Sequence, residues 1–135
     1  MAKLELLIRD ADPADAQTIA EFNARIASET EGMRLSPEVI DSGVRALLAD
    51  NSKGRYWVAE SDNRVIGQIM VTYEWSDWRN GMIWWLQSVY VQSSARRLGV
   101  FTALVTEVAR LAALNPDVCG FWLYIEKDDQ AARST

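Results

Sequence analysis

Between residues 82 and 125 the hydrophobic pattern changes period twice, and this switch restricts the fold more than any other feature of the chain. Residues 82–91 form an almost continuous apolar run, broken only by Gln87 and Ser88, which reads as a central strand covered on both faces. Phe101, Leu104, Val105, Val108, Leu111 and Ala112 then recur at three and four, predicting a helix over 99–114 that Asn115-Pro116 stops. Residues 119–125 are apolar again and read as a last strand. A strand–helix–strand passage of that length joins parallel strands through a right-handed crossover.

The preceding part of the chain supplies the other elements. Residues 4–9 read as a first strand. Asp12 can cap a helix, Pro13 suits its first position and Asp15 favours its positive end. Ile19, Phe22 and Ile26 make one apolar stripe, ended by Glu31-Gly32. Ser36-Pro37-Glu38 starts a second helix with Ile40, Val44, Leu47 and Leu48 on one side. Residues 56–60 and 65–75 are strands joined by a hairpin at Ser61-Asp62-Asn63, with Gly67 marking a bulge, and Asn80-Gly81 signals the next turn. The order is β-α-α-β-β-β-α-β, an α+β fold with a mixed sheet and flanking helices.

Composition removes several chemistries. The 135 residues make one domain with enough chain for a real core. With no His and a single Cys, Cys119, the chain holds no Ser-His-Asp triad, Cys-His dyad, zinc finger or internal disulfide. No apolar run approaches the ~20 residues of a membrane span, and the first residues lack the order of a signal peptide, so the expected location is cytoplasmic and no membrane partner is expected. A net charge of −5 argues against generic nucleic-acid binding. The six Trp, at 57, 75, 78, 84, 85 and 122, are expected mainly in packing, with one or two available for a substrate wall.

The chemistry points to residues 88–101, where a strand ends, a short polar loop follows and a helix begins near Gly99. The first amides of a helix lack internal acceptors and carry partial positive charge, which suits phosphate. Gly99 lets a ligand approach the backbone, and Arg96 and Arg97 add charge able to make bidentate contacts. The other reading is that both arginines are solvated and Gly99 only eases a turn. The stretch is not a P-loop, because Gly-Lys-Ser/Thr is absent.

Val89-Tyr90-Val91, four loop residues, and then Arg96-Arg97-Leu98-Gly99-Val100-Phe101 resemble the acetyl-CoA-binding motif of the GNAT superfamily of N-acetyltransferases, usually Q/R-x-x-G-x-G/A. Phe101 departs from the usual Gly or Ala. The resemblance covers essentially the whole chain. It includes Ile8-Arg9-Asp10-Ala11 before the first helix, Val58-Ala59-Glu60 turning into Val65-Ile66-Gly67, and residues 123–132 as a fifth strand leading into the family's last helix.

The resemblance implies a mostly antiparallel sheet in which the strands at 82–91 and 119–125 splay apart. Acetyl-CoA, as cosubstrate, would lie in that gap on the backbone of Tyr90 and Val91, its pyrophosphate on Arg96, Arg97, Leu98, Gly99, Val100 and Phe101. Acetyl transfer to a small-molecule or peptide amine would be direct, with no role for the Cys119 thiol. The Val91 amide region would face the oxyanion. Gln87 stands where several relatives carry a Glu base, leaving Glu74 and Asp77 as the nearby carboxylates. In the last helix Asp129 replaces the family's Asn and Ala132 matches its Ala, while the proton-donating Tyr would fall one residue past Thr135. The expectation is therefore a GNAT-like domain incomplete at its C-terminus, whose open strand edge at Phe121, Trp122 and Leu123 a second copy could complete. The alternative is a non-catalytic CoA-binding or dimerisation module derived from an acetyltransferase.

Overall fold

The computed structural model describes residues 5–123. Strand β1 (Leu7–Asp10) precedes a one-turn 3-10 helix (Pro13–Asp15), helix α1 (Ala16–Glu31) and helix α2 (Pro37–Ala49). Strands β2 (Arg55–Ser61), β3 (Arg64–Ser76) and β4 (Gly81–Val91) follow, then helix α3 (Val100–Leu114) and strand β5 (Val118–Leu123). The sheet runs β1-β2-β3-β4-β5, antiparallel except for the parallel β4–β5 pair. Among the described residues, no helix is long and apolar enough to cross a membrane.

Local chemistry accounts for the boundaries. Asp12 Oδ1 accepts from the Ala14 amide and Pro13 follows it, as the capping pattern predicts. Asp62 and Asn63 both take positive φ, 51° and 61°, which makes the two-residue β2–β3 turn match the strand twist. Asn80 does the same before β4. The bulge expected at Gly67 falls one residue earlier. Ala59 faces Gly67 and Glu60 faces Val65, so Ile66 is the extra residue. Gly67 instead admits α3, since a Cβ there would stand 3.0 Å from Val100 Cγ1.

Helix α3 covers one face of the sheet. Val100, Leu104, Val108 and Ala112 pack against Trp57, Ala59, Ile69, Val71, Trp84 and Leu86. Helices α1 and α2 cover the other face at its β2 side, where Ile19, Ala20 and Val44 meet Tyr56 and Val58. That second layer reaches only the C-terminal end of β4, where Phe22 of α1 packs on Tyr90. Trp85 and Gln87 are only half-buried, so the expectation of a strand covered on both faces fails at these positions. The Trp expectation divides similarly. Trp57 and Trp84 are core, but Trp75, Trp78 and Trp122 are exposed.

Arg9 fastens β1 to the first turn. Its Nη1 and Nη2 donate to Asp15 at 2.8 and 3.0 Å, and its Nε donates to Glu60 at 2.9 Å. Burial alone would raise the Asp15 pKa, but the Arg9 bonds and the Asp12 amide outweigh it and hold the carboxyl below its ordinary 3.8. A depressed folded-state pKa gives stability that is complete above the ordinary value and is lost as pH falls through the folded one. Arg9→Ala should lower stability at pH 7 by about 2 kcal/mol, because the nearly buried carboxylate loses its cation. It should also flatten the loss of stability below about pH 4. Urea melts of both proteins between pH 3 and 7 check this; parallel stability curves would refute it.

Candidate active site

The centre of interest is the end of the β4–β5 pairing. The parallel register runs from Met82 opposite Val118 to Leu86 opposite Leu123. Among the described residues, Gln87 to Val91 have no β5 partner. A β-bulge in β4 lies just beyond Leu86. Gln68 faces Tyr90 and Met70 faces Gln87, so two β4 residues, Ser88 and Val89, stand opposite Ile69 alone. Ser88 carries a φ of 49°, which costs energy in a non-glycine residue.

A buried polar network holds the bulge. Gln68, fully buried, donates from Nε2 to the Ser88 carbonyl and to Asn23 Oδ1, both at 3.0 Å. Asn23 Nδ2 donates to the Tyr56 hydroxyl at 2.9 Å. Burial raises the Tyr56 pKa, against the hydrogen bonds of Asn23 and Ser88 to its oxygen, so the phenol stays neutral. Among the described residues, Gln68 Oε1 is buried with no partner. Residues from α1, β2 and β3 thus converge on one strained residue of β4. None of the four carries a sequence motif; the available signal was two amides, Asn23 and Gln68, set in otherwise apolar stripes.

The loop and helix after β4 present donors. Gly99 caps α3 with φ 84° and no side chain accepts from the helix amides. The first intrahelical bond is Ala103 N to Gly99 O, so the Val100, Phe101 and Thr102 amides have no acceptor within the helix. Arg97 is also left-handed, at φ 69°, and alternation of this kind turns successive N–H groups toward one concavity. A Cβ on Gly99 would meet nothing within 4 Å, so the space above the helix end is open. Val100, 1% exposed, anchors the helix start, whereas Leu98 is exposed and Phe101 half-buried.

The two arginines are not equivalent. Arg96 turns back: Nε donates to the Val91 carbonyl at 2.8 Å, the guanidinium lies 5.2 Å from the Tyr90 ring centroid, and Nη2 is 3.5 Å from Glu29 Oε1. Its amide points to Ser93 O. The side chain expected on a phosphate therefore braces the strand end, and occupies the Val91 carbonyl. Arg97 is exposed and, among the described residues, makes no ion pair within 4 Å. Tyr90 is buried, its ring 5.0 Å from Phe22 of α1.

Gln87 shares the α1 face with Thr72, to whose Oγ1 its Nε2 donates. Glu74 lies on the same face but opposite Ile83, where Oε1 accepts the Trp85 indole N–H at 3.0 Å. The indoles of Trp85 and Trp122 pack at 5.7 Å with planes tilted by 38°. Cys119 is exposed at the start of β5, beside Gly81. Asp129 and Ala132 lie outside the described residues.

Comparison with known proteins decides the family. The model of the acetyltransferase (GNAT) family matches residues 17–135. The chain belongs to the GNAT acetyltransferase family. A possible acetyltransferase from Clostridium difficile 630 is 44% identical, with a TM-score of 0.89 over 96% of this chain and 85% of that one. Two more distant structures share the fold of this GNAT chain. A ribosomal-protein-alanine N-acetyltransferase from Brucella melitensis biovar Abortus 2308 is 18% identical, with a TM-score of 0.78 over 96% of this chain and 86% of that one. A predicted acetyltransferase from Clostridium acetobutylicum, solved with acetyl-CoA, is 17% identical, with a TM-score of 0.75 over 96% and 87%. No curated protein matches the sequence.

Proposed function

We propose that the protein is an acetyl-CoA-dependent N-acetyltransferase acting on a primary amine. The observation that carries this reading is the coincidence, at one end of β4, of the strained bulge at Ser88 and a helix N-terminus with free amides under an open glycine. The residues fit acetyl-CoA. The amides of Val100, Phe101 and Thr102 and the Arg97 guanidinium suit a pyrophosphate, and the β4 backbone at the bulge, between Ser88 and Tyr90, would lie along the peptide-like pantetheine arm. When bound, the thioester supplies an activated acetyl group whose carbonyl an amine attacks directly. Nitrogen gains the acyl carbon, the C–S bond breaks, one proton leaves nitrogen and the thiolate departs.

The chain's own residues would position and polarise. The bulge sets the direction of the amides around Val89 to Val91, one of which would donate to the developing oxyanion. Gln87, held by Thr72, would orient the amine without removing its proton. Glu74 lies four β3 residues from the Met70–Gln87 pair, roughly 13 Å along the strand, beyond hydrogen-bond reach of an amine at the bulge. In this reading proton loss from the amine runs through water, and Glu74 serves the distal part of the acceptor.

The test uses two measurements. Acetyl-CoA at 100 times its dissociation constant should stabilise the fold by about 2.7 kcal/mol, seen as a rise in melting temperature. Thiol release with a panel of amines should then exceed acetyl-CoA hydrolysis without amine. No thermal shift would overturn cofactor binding; a shift with no amine-dependent release would favour the non-catalytic module.

A further inference from the structure

The face of the sheet between β3 and β5 carries an aromatic surface that neither the packing of α1 and α2 nor the acetyl-CoA cleft uses. Trp85 of β4 and Trp122 of β5 are register partners, and their rings meet on the α1 side. Trp122 is 46% exposed. Its orientation depends on Gly120, where a Cβ would stand 2.6 Å from Trp122 Nε1, so the missing side chain lets the indole lie back along β5. Trp85 is fixed from the other side by its bond to Glu74. Three neighbouring strands thus hold two indoles and one carboxylate in a defined arrangement.

The carboxylate identifies the occupant. One oxygen of Glu74 is tied to the Trp85 ring, and among the described residues no Lys or Arg nitrogen lies within 4 Å of it. A carboxylate without a cation, beside two ring faces with negative quadrupoles, suits an ammonium group. The chain's net charge of −5 acts in the same sense. Trp85 lies three to four residues from the Ser88–Val89 bulge, roughly 10 Å along the strand.

We propose that Glu74, Trp85 and Trp122 form a cation subsite that binds a second ammonium of the acceptor, about 10 Å from the amine that is acetylated. The proposal rests on the acetyltransferase reading above and names the acceptor class: diamines or longer cationic amines rather than monoamines. A cation over an aromatic ring beside a carboxylate discriminates by about tenfold.

The experiment compares 1,8-diaminooctane with octylamine. In the wild type, kcat/KM for the diamine should exceed that for the monoamine by about tenfold after correction for its two equivalent ends. Glu74→Gln and Trp122→Leu should each bring the ratio near one, while the thermal shift with acetyl-CoA is retained. Independently of turnover, the Trp85 indole N–H resonance, assigned with Trp85→Phe, should move on adding the diamine and stay still with octylamine. Equal use of both amines, a ratio unchanged in the variants, or indoles covered by a second copy and blind to the diamine would overturn the subsite and leave the acetyltransferase reading standing. A Glu74-dependent shift with the diamine but no transfer to either amine would support the subsite and overturn the enzyme.

Discussion

Gly99→Glu is expected to abolish acetyl-CoA binding, weakening it by more than a hundredfold, while the protein remains folded. Gly99 stands at the start of α3 with φ 84°, and no atom of the described residues lies within 4 Å of where its Cβ would be. A glutamate would therefore fill space left for the ligand, and its charge would oppose a pyrophosphate at about the distance where the helix amides attract one. The left-handed backbone adds a cost of roughly 1–2 kcal/mol for any residue with a Cβ. Gly99→Asn separates the effects, because asparagine tolerates that conformation and adds no charge. Calorimetric titration with acetyl-CoA, with circular dichroism to monitor folding, is the measurement. Asparagine should weaken binding far less than glutamate. Equal affinity in wild type and Gly99→Glu would move the cofactor away from this helix end.

Gln68→Met should have the second largest effect, and on a different quantity. Methionine keeps the volume but removes the donor that reaches the Ser88 carbonyl and Asn23 Oδ1. Two buried acceptors then lose a partner, for a stability loss of about 2 kcal/mol, moderated because the orphaned Gln68 Oε1 disappears with them. The bulge relaxes, and the amides between Val89 and Val91 shift relative to the bound acetyl group. A misplacement of about 1 Å costs on the order of a hundredfold in rate. The Gly99 helix end is untouched, so affinity for acetyl-CoA should stay within about threefold. Stopped-flow or steady-state turnover set against binding resolves the two. Loss of affinity and rate together would mean a general weakening of the fold; turnover within threefold of wild type would show that the network does not position the reacting groups.

Much of the architecture was legible because its signals are local. The 3.6-residue stripes of α1, α2 and α3, the Asp12 and Ser36 caps and the Asp62-Asn63 turn each act within a few residues. The parallel crossover to β5 followed from its length alone. The uncapped helix start after the Arg-Arg-Leu-Gly stretch was readable because helix amides lack acceptors whatever the remaining sequence does.

The features that the sequence did not show lie where distant residues compete. Nothing in the sequence showed that the Val91 carbonyl, the Tyr90 ring and Glu29 all meet the Arg96 side chain. The apolar run of β4 looked fully covered, yet α1 and α2 cover the β2 side of that face and only the Tyr90 end of β4, leaving Trp85 and Gln87 half-buried. Glu74 was legible only as an available carboxylate at the end of the long strand; register sets it toward the turn, opposite Ile83 and against the Trp85 indole.

The sequence by itself determined the elements, their order and the donor-rich helix start, since periodicity, caps and unpaired amides are properties of short segments. Only the tertiary structure decided that Ser88 bulges, that Asn23, Tyr56 and Gln68 meet beneath it, and that Glu74, Trp85 and Trp122 share one face. Those contacts join residues tens of positions apart, and their existence depends on strand register and on which polar group wins each buried partner, which no local pattern encodes.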